Sequence, residues 1–390
     1  SLADSINVLV INLFAALATG GTIICAQYIG NKNDRAAHNA SNQVMLSVIA
    51  ISLMIMTVGI VLRKPLLRAV FGAVEDDVMS NALTYFTITV VSYPFIAIHD
   101  ASAALFRSTG NSKLPMLVTM GVNVLNIIGN SILIFGFNMG VAGAAIPTLV
   151  SRMTGAVIML CFQHRKGQVI SFRDYRNLRP DFKVIKRVLA IGVPTGIENC
   201  FFQLGKLMVQ STVSTLGTQA IAAQAMTSTL ELFISQPAMA VGLGMVTVVG
   251  QCIGAGKKDE AKKYIKKLTI IATIILVTLE VLVLAATKPI TMFATMTDEG
   301  RDLTFRLMCL IVVVKTFLWP MAFMPAYGMR AAGDVKFSMI VSTTSMWILR
   351  VALSWYLCRY TDVGILGVWI GMFSDWFARD IFFIWRLKSG

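Results

Sequence analysis

The side chains best placed for chemistry in this 390-residue sequence are ionisable groups set inside long apolar runs. They are Glu198, Glu231, Glu280 and Lys315 in the second half, and His99 with Asp100 in the first. A charge at the centre of a hydrocarbon layer costs about 2.5–3.5 kcal/mol on insertion scales, so each is a candidate for holding an ion or a proton. At about 1.5 Å per helical residue, Glu198 lies about 15 Å along its run, Glu231 about 16 Å, and Glu280 and Lys315 about 18 Å. Glu198 follows Pro194 by one turn, and a proline frees carbonyls that can serve a cation or a proton-linked water. Glu198 therefore ranks first as an ion-binding carboxylate and Glu231 second. The competing structural reading pairs Glu198 with Lys206 or Lys315, and Lys315 is the expected partner of Glu280.

His99 and Asp100 adjoin in a run interrupted by Pro94, about 25 Å from its outer end. A His beside an Asp could relay protons. Adjacent helical residues point about 100° apart, however, so Asp100 is expected instead to satisfy a base such as Arg107. Asn7, Asn12, Asn123, Asn126 and Asn130 give this half polar edges suited to hydrogen bonds between helices. Asp375 and Arg379 have the spacing of an intrahelical pair, with Asp380 following. Six scattered cysteines without a CxxC and three scattered histidines indicate neither a disulfide framework nor a metal site. Gly254-Ala255-Gly256-Lys257 lacks the spacing of a phosphate loop.

The elements that hold these groups follow from composition. With 56% hydrophobic and 14% charged residues, the chain lies far from the roughly 25% charge of soluble domains and reads as a polytopic membrane protein. Eleven runs are long and apolar enough to be spanning helices: 5–29, 41–62, 83–106, 114–136, 141–162, 188–216, 220–250, 268–287, 303–329, 337–358 and 365–385. The +14 net charge then reads as topology rather than as affinity for nucleic acid. Twenty-two of the thirty-four Lys and Arg fall in alternate loops, including 163–187 and 254–267, against six in the other loops. The basic loops and the C-terminus are therefore expected in the cytoplasm, and Ser1 on the far side. Six bases, Arg152, Lys206, Arg306, Lys315, Arg350 and Arg379, lie within the runs.

An internal repeat organises the runs. Gln27, Ile29, Gly30 and Ala37 recur as Gln251, Ile253, Gly254 and Ala261, and Gly140, Gly143 and Ile146 as Gly364, Gly367 and Ile370, all 224 apart. Arg107, Gly110 and Lys113 recur as Arg330, Gly333 and Lys336 at 223. Six runs separate the partners, so the two halves keep one orientation and should be related by a pseudo-two-fold along the membrane normal. The run at 188–216 has no partner among the eleven, so the repeat expects a further helix ahead of Ser1 and an all-α protein of two six-helix bundles. The halves are read as an N-terminal lobe at 1–163, a basic linker at 164–183 carrying Arg165, Lys166, Arg173, Arg176 and Arg179, and a C-terminal lobe at 184–390.

Several of these segments together resemble the multidrug and toxic compound extrusion family. They are Gly250-Gln251-Cys252-Ile253-Gly254 with Ala255-Gly256-Lys257, the pair Leu105–Asn111 and Met329–Asp334, Gly140–Ala145, and Gly192-Val193-Pro194-Thr195-Gly196-Ile197-Glu198-Asn199. The resemblance implies a multi-pass plasma-membrane antiporter, acting as a monomer without cofactor. It would export organic cations in exchange for Na⁺ or H⁺ by alternating access between two lobes. Where family members often carry an acid on the fifth helix this chain has Asn130, and on the tenth it has Trp319-Pro320-Met321 without an acid. The coupling-ion candidates are thus Glu198, Glu231, Asp100 and Asn130. Gln203, Gln224, Phe201, Phe202, Met226, Phe233, Trp319, Met321, Met324 and Tyr327 are expected to line the substrate cavity, since thioethers adapt to shape and aromatic faces attract cations.

Two other functions compete. A lipid-linked glycan flippase of similar build requires the six intramembrane bases to converge on one cavity. A membrane-embedded transferase would use His99 and Asp100, but the repeat maps them to Ala322 and Phe323, with no second His.

Overall fold

The computed structural model describes residues 2–71, 76–165, 168–172, 179–294, 297–361 and 363–389, and its regular elements are all helical. Hydrocarbon leaves a helix as the economical choice, because its backbone donors find acceptors within the same segment. In chain order the helices are α1 (Leu2–Gly30), α2 (Asp34–Val61), α3 (Arg63–Phe71), α4 (Asp76–Val91), α5 (Tyr93–Ser108), α6 (Lys113–Ser131) and α7 (Gly140–Gln163). There follow α8 (Phe182–Ser214), α9 (Thr218–Gly254), α10 (Lys258–Phe293), α11 (Asp298–Ala332), α12 (Val335–Ser345), α13 (Ser354–Tyr360) and α14 (Leu366–Ser389). A π-helical stretch, Ile132–Gly136, extends α6, and another, Met346–Leu353, joins α12 to α13.

Among the described residues eight helical runs are long and apolar enough to cross a membrane, and α4 with α5, bent by 41°, makes a ninth. Pro94 sits in the first turn of α5, where the missing N–H breaks no bond within that helix. The remaining two of the eleven expected spans, α8 and α14, have 33 and 24 residues but are too polar to qualify by composition alone. Four of their charged residues are sheltered: Glu198, Asp375, Arg379 and Asp380 are buried. Helix α3 stands where the apolar pattern predicts a loop; Arg63 at its start donates to Thr87 Oγ1 at 3.2 Å.

The chain packs as two compact units, 1–199 and 200–390, so the division falls inside α8. In the first unit α1 packs on α2 and α5, and α7 packs on α4, α5 and α6. The early part of α8 joins it through glycine: a Cβ on Gly20 would lie 2.7 Å from the Val188 carbonyl oxygen, and one on Gly192 3.1 Å from Leu17 Cα. Such small-residue contacts let backbones approach closely. This packing explains why the first unit reaches past residue 184, the start of the second lobe in the sequence pattern. In the second unit α9, α10 and α11 pack mutually, with α14 on α11.

The linker is fastened to the first unit at both ends. Gln163 Nε2 donates to the Ile170 carbonyl at 3.0 Å and its Oε1 accepts from Ser102 Oγ at 3.0 Å. Gln43, buried on α2, donates to the Arg179 carbonyl at 2.9 Å and accepts from the Asp181 amide at 3.0 Å. Asp181 in turn caps α8, its Oδ1 accepting from the amides of Lys183 and Val184 at 3.0 and 3.3 Å. Of the linker bases, Lys166, Arg173 and Arg176 lie outside the described residues, as does Ser1.

The repeat is written in the backbone as well as in residue types. At the end of α9, Gly256 N–H bonds the Ile253 carbonyl and Lys257 N–H the Cys252 carbonyl; at the end of α1, Lys32 bonds Ile29 and Asn33 bonds Tyr28, each partner 224 residues away. This is the Schellman arrangement, which places one residue in the left-handed region. Gly256 adopts φ +75° there and Lys32 φ +53°. Gly110 and Gly333 repeat the same bonds at the ends of α5 and α11, with φ +86° and +94°. A Cβ at Gly256 would meet no atom within 4 Å, so only backbone conformation opposes it. Gly256→Ala should therefore lower stability by about 1 kcal/mol, while Lys32→Gly should raise it by less than that, because glycine also loosens the unfolded chain. Thermal unfolding in detergent checks both signs.

Candidate functional site

Helices α9 and α11 bring Glu231, Ser235 and Lys315 together. Lys315 is fully buried, and its Nζ donates to Glu231 Oε1 at 2.9 Å and to Ser235 Oγ at 2.6 Å. The Ser235 hydroxyl is 3.0 Å from the same carboxylate oxygen. Trp319, one turn along α11, holds its ring 5.7 Å from the ammonium and stacks on Phe323 at 5.0 Å. This corrects the expected pairing of Lys315 with Glu280. Glu231 and Ser235 are one turn apart on α9 and offer the ammonium two acceptors. Glu280, on α10, takes a hydrogen bond from Thr316, whose side chain leaves α11 about 100° away from that of Lys315. Glu280 Oε1 has no hydrogen-bond partner among the described residues.

A second buried group ties α14 to the α12–α13 segment. Arg379 grips Asp375 with two bonds, Nε–Oδ1 at 2.8 Å and Nη2–Oδ2 at 3.1 Å, in the expected intrahelical pair. Ser345 Oγ donates to Asp375 Oδ1 at 2.6 Å, Arg379 Nη2 reaches the Ser342 carbonyl at 3.2 Å, and Arg350 Nη1 stands 3.9 Å from Asp375 Oδ2. Three bases surround the Phe202 ring: Lys206 at 5.0 Å, Arg350 at 5.6 Å and Arg379 at 6.0 Å.

In the first unit a cavity of about 310 Å³ lies between α5, α6 and α7. Its wall carries His99, Asp100, Asn123, Asn126, Thr148 and Arg152. His99 Nδ1 lies 3.1 Å from Asp100 Oδ1, which corrects the expectation that the two would not face each other. Rotation of two flexible side chains closes an angle that their Cβ directions leave open. Asn130 donates to Asn126 at 3.1 Å, and Asn126 to Thr148 Oγ1 at 3.2 Å. Asn130 Oδ1 is buried without a hydrogen-bond partner among the described residues. Arg152 donates to Ser92 Oγ at 2.7 Å, at the α4–α5 bend.

The other candidates are scattered. Glu198 is buried in α8, one residue before the division between units. Gln224 is buried and donates to Ser228 Oγ at 3.2 Å. Trp319 and Met324 are buried in the second unit, whereas Phe233 and Met321 are exposed. Phe201 sets its ring edge on Trp347 at 6.0 Å. Gln203 and Met226 are half-buried, and half-buried Tyr327 packs against Gly242, where a Cβ would meet its ring. Residue typing missed Ser235, although its place one turn after Glu231 was visible. It also missed the Arg152–Ser92 bond, which no local spacing encodes.

The family model MatE matches residues 1–132 and 194–356, most of the chain. The chain belongs to this family, the multidrug and toxic compound extrusion transporters. It is 28% identical over 392 residues to "Probable multidrug resistance protein NorM" of Thermotoga maritima, covering 96% of this chain and 81% of that one. It is 26% identical to "Uncharacterized transporter YisQ" of Bacillus subtilis, covering 100% and 85%. Among solved structures, an outward-facing multidrug resistance MATE family transporter of the MOP superfamily superposes with a TM-score of 0.89 at 20% identity, covering 100% and 87%. A Pyrococcus furiosus MOP superfamily transporter, described as having a binding pocket of reverse polarity, gives 0.88 at 19% identity over the same shares. MatE-family members are multi-pass membrane transporters, not enzymes, which removes the transferase reading.

The Lys315 pair makes a prediction within this family fold. Removing one partner of a buried pair strands the other charge at about 3–5 kcal/mol. Glu231→Gln and Lys315→Met should each cost close to that, and the double variant should recover most of the loss. A double-mutant cycle of detergent unfolding measures it; additive losses would show that the two groups do not interact.

Proposed function

We propose that the chain is a secondary active antiporter that exports organic cations in exchange for Na⁺ or H⁺, by alternating access between its two halves. The observation that carries this reading is the position of Glu198. It is a buried carboxylate one turn past Pro194, on α8, the helix that begins in the first unit and ends in the second. Binding of an ion or a proton there acts on a helix common to both halves. Of the other acids ranked for coupling, Glu231 is committed to Lys315 and Asp100 lies against His99. Asn130, where the family resemblance implies an acid, is an amide without a titrating group and donates to Asn126. The excess of Lys and Arg in alternate loops supports a cytoplasmic linker and C-terminus.

The flippase reading is less well supported. It requires one wide cationic cavity, and the six intramembrane bases are divided. Arg152 bonds Ser92, Arg306 pairs with Asp302 at 2.7 Å on the exposed surface, and Lys315 is neutralised by Glu231. Only Lys206, Arg350 and Arg379 gather, and Asp375 stands with them.

Proteoliposomes loaded with a fluorescent organic cation and given an imposed Na⁺ or H⁺ gradient test substrate class and coupling ion together. Glu198→Gln should abolish gradient-driven movement of the dye while leaving the protein folded and in the membrane. Dye transport by that variant at the unsubstituted rate would move coupling to another residue.

A further inference from the structure

At one end of the helices of the second unit, α9, α10, α11 and α14 enclose a groove of about 700 Å³, within the range of sites for small molecules, about 300–1,000 Å³. Its floor is apolar, with Val249, Ile253, Ile265 and Leu387, and its rim carries Lys258 and Lys262 facing Arg386. Lys258 and Lys262 are one turn apart on α10, both exposed, and neither has a carboxylate partner among the described residues. Arg386 is joined to Asp334 at 2.7 Å. Lys263, Lys266 and Lys267 extend the basic surface along the same exposed turns. Three bases on the rim outnumber Asp259 and Asp334, so the groove favours an anionic group over a cationic one.

The repeat shows what such a face accepts. The partners of Lys262, Lys263, Lys266 and Lys267, 224 residues earlier, are His38, Asn39, Asn42 and Gln43 on α2. In the first unit that face is covered by the chain itself. Gln43 holds the linker backbone, and Asn39 Nδ2 donates to the carboxylate of Asp181 at 3.2 Å. An anionic group thus sits on the α2 face, over neutral amides. The α10 face replaces those residues with four exposed lysines, beside an apolar floor.

We propose that this groove binds an anionic phospholipid of the cytoplasmic leaflet, its phosphate held by Lys258, Lys262 and the free edge of Arg386, and its acyl chain along Ile265 and Leu387. A charged rim above an apolar floor at the bilayer edge fits an amphiphile, and a juxtamembrane cluster of four to eight bases attracts anionic lipid.

Native mass spectrometry of the detergent-solubilised full chain, titrated with phosphatidylglycerol, phosphatidylcholine or inorganic phosphate, tests this. The unsubstituted protein should retain phosphatidylglycerol over phosphatidylcholine. Lys258→Gln with Lys262→Gln should weaken that retention by about ten-fold or more, whereas Lys64→Gln with Arg68→Gln, on α3 of the first unit, should leave it unchanged. Equal retention by both double variants, or equal binding of the two lipids, would overturn the proposal. Displacement of the lipid by millimolar phosphate would also overturn it, marking a site for the free anion. Should the α10 variant fail to remain monodisperse, salt decides on the unsubstituted protein: added NaCl should erode the preference for phosphatidylglycerol, and a salt-independent preference refutes the electrostatic site.

Discussion

A charge that enters hydrocarbon must bring its compensation with it, and the interior of this transporter is arranged around that requirement. Lys315 is fully buried and viable because α9 supplies Glu231 and Ser235 one turn apart. Arg379 is buried and viable because Asp375 lies four residues back and Ser345 holds that carboxylate from the neighbouring segment. The Lys315 contacts also fix helix register, since sliding α9 past α11 by one residue would turn an acceptor away. Charge compensation and helix packing in the second unit are therefore one constraint.

Much of this was legible in the sequence, for physical reasons. Spanning helices need about twenty apolar residues, which made nine of the eleven spans visible by composition. The two polar ones, α8 and α14, were visible because apolar residues still flank their charges. The repeat was legible as matched residues at one offset, and the structure carries it further: Gly256 and Lys32 share a left-handed turn that their different residue types hid. Intrahelical pairs such as Asp375 with Arg379 follow from spacing alone. The partner of Lys315 did not, because Glu231 and Glu280 have similar depth and only the azimuth of each helix, set by packing, chooses between them. Contacts without a local pattern, such as Arg152 with Ser92 or Gln43 with the linker backbone, were likewise out of reach.

The two units meet the same constraint with different chemistry. The second carries strong charge pairs, while the first lines its cavity with amides and hydroxyls, Asn123, Asn126 and Thr148, around one His–Asp contact and one Arg. A duplicated scaffold has thus diverged in its polar interior while keeping its backbone turns. This is how a repeat can conserve mechanics and still vary specificity.

The division inside α8 sets the border of packing apart from the border of the repeat. By sequence repeat, the helix at 188–216 counts with the second half, yet its opening turns pack on Gly20 and Leu17 of the first. The unit that was copied and the unit that packs are out of step by half a helix. The opening turns of α8 are held where they pack, because the chain just ahead of them is fastened to α2 by Gln43 and to the end of α7 by Gln163.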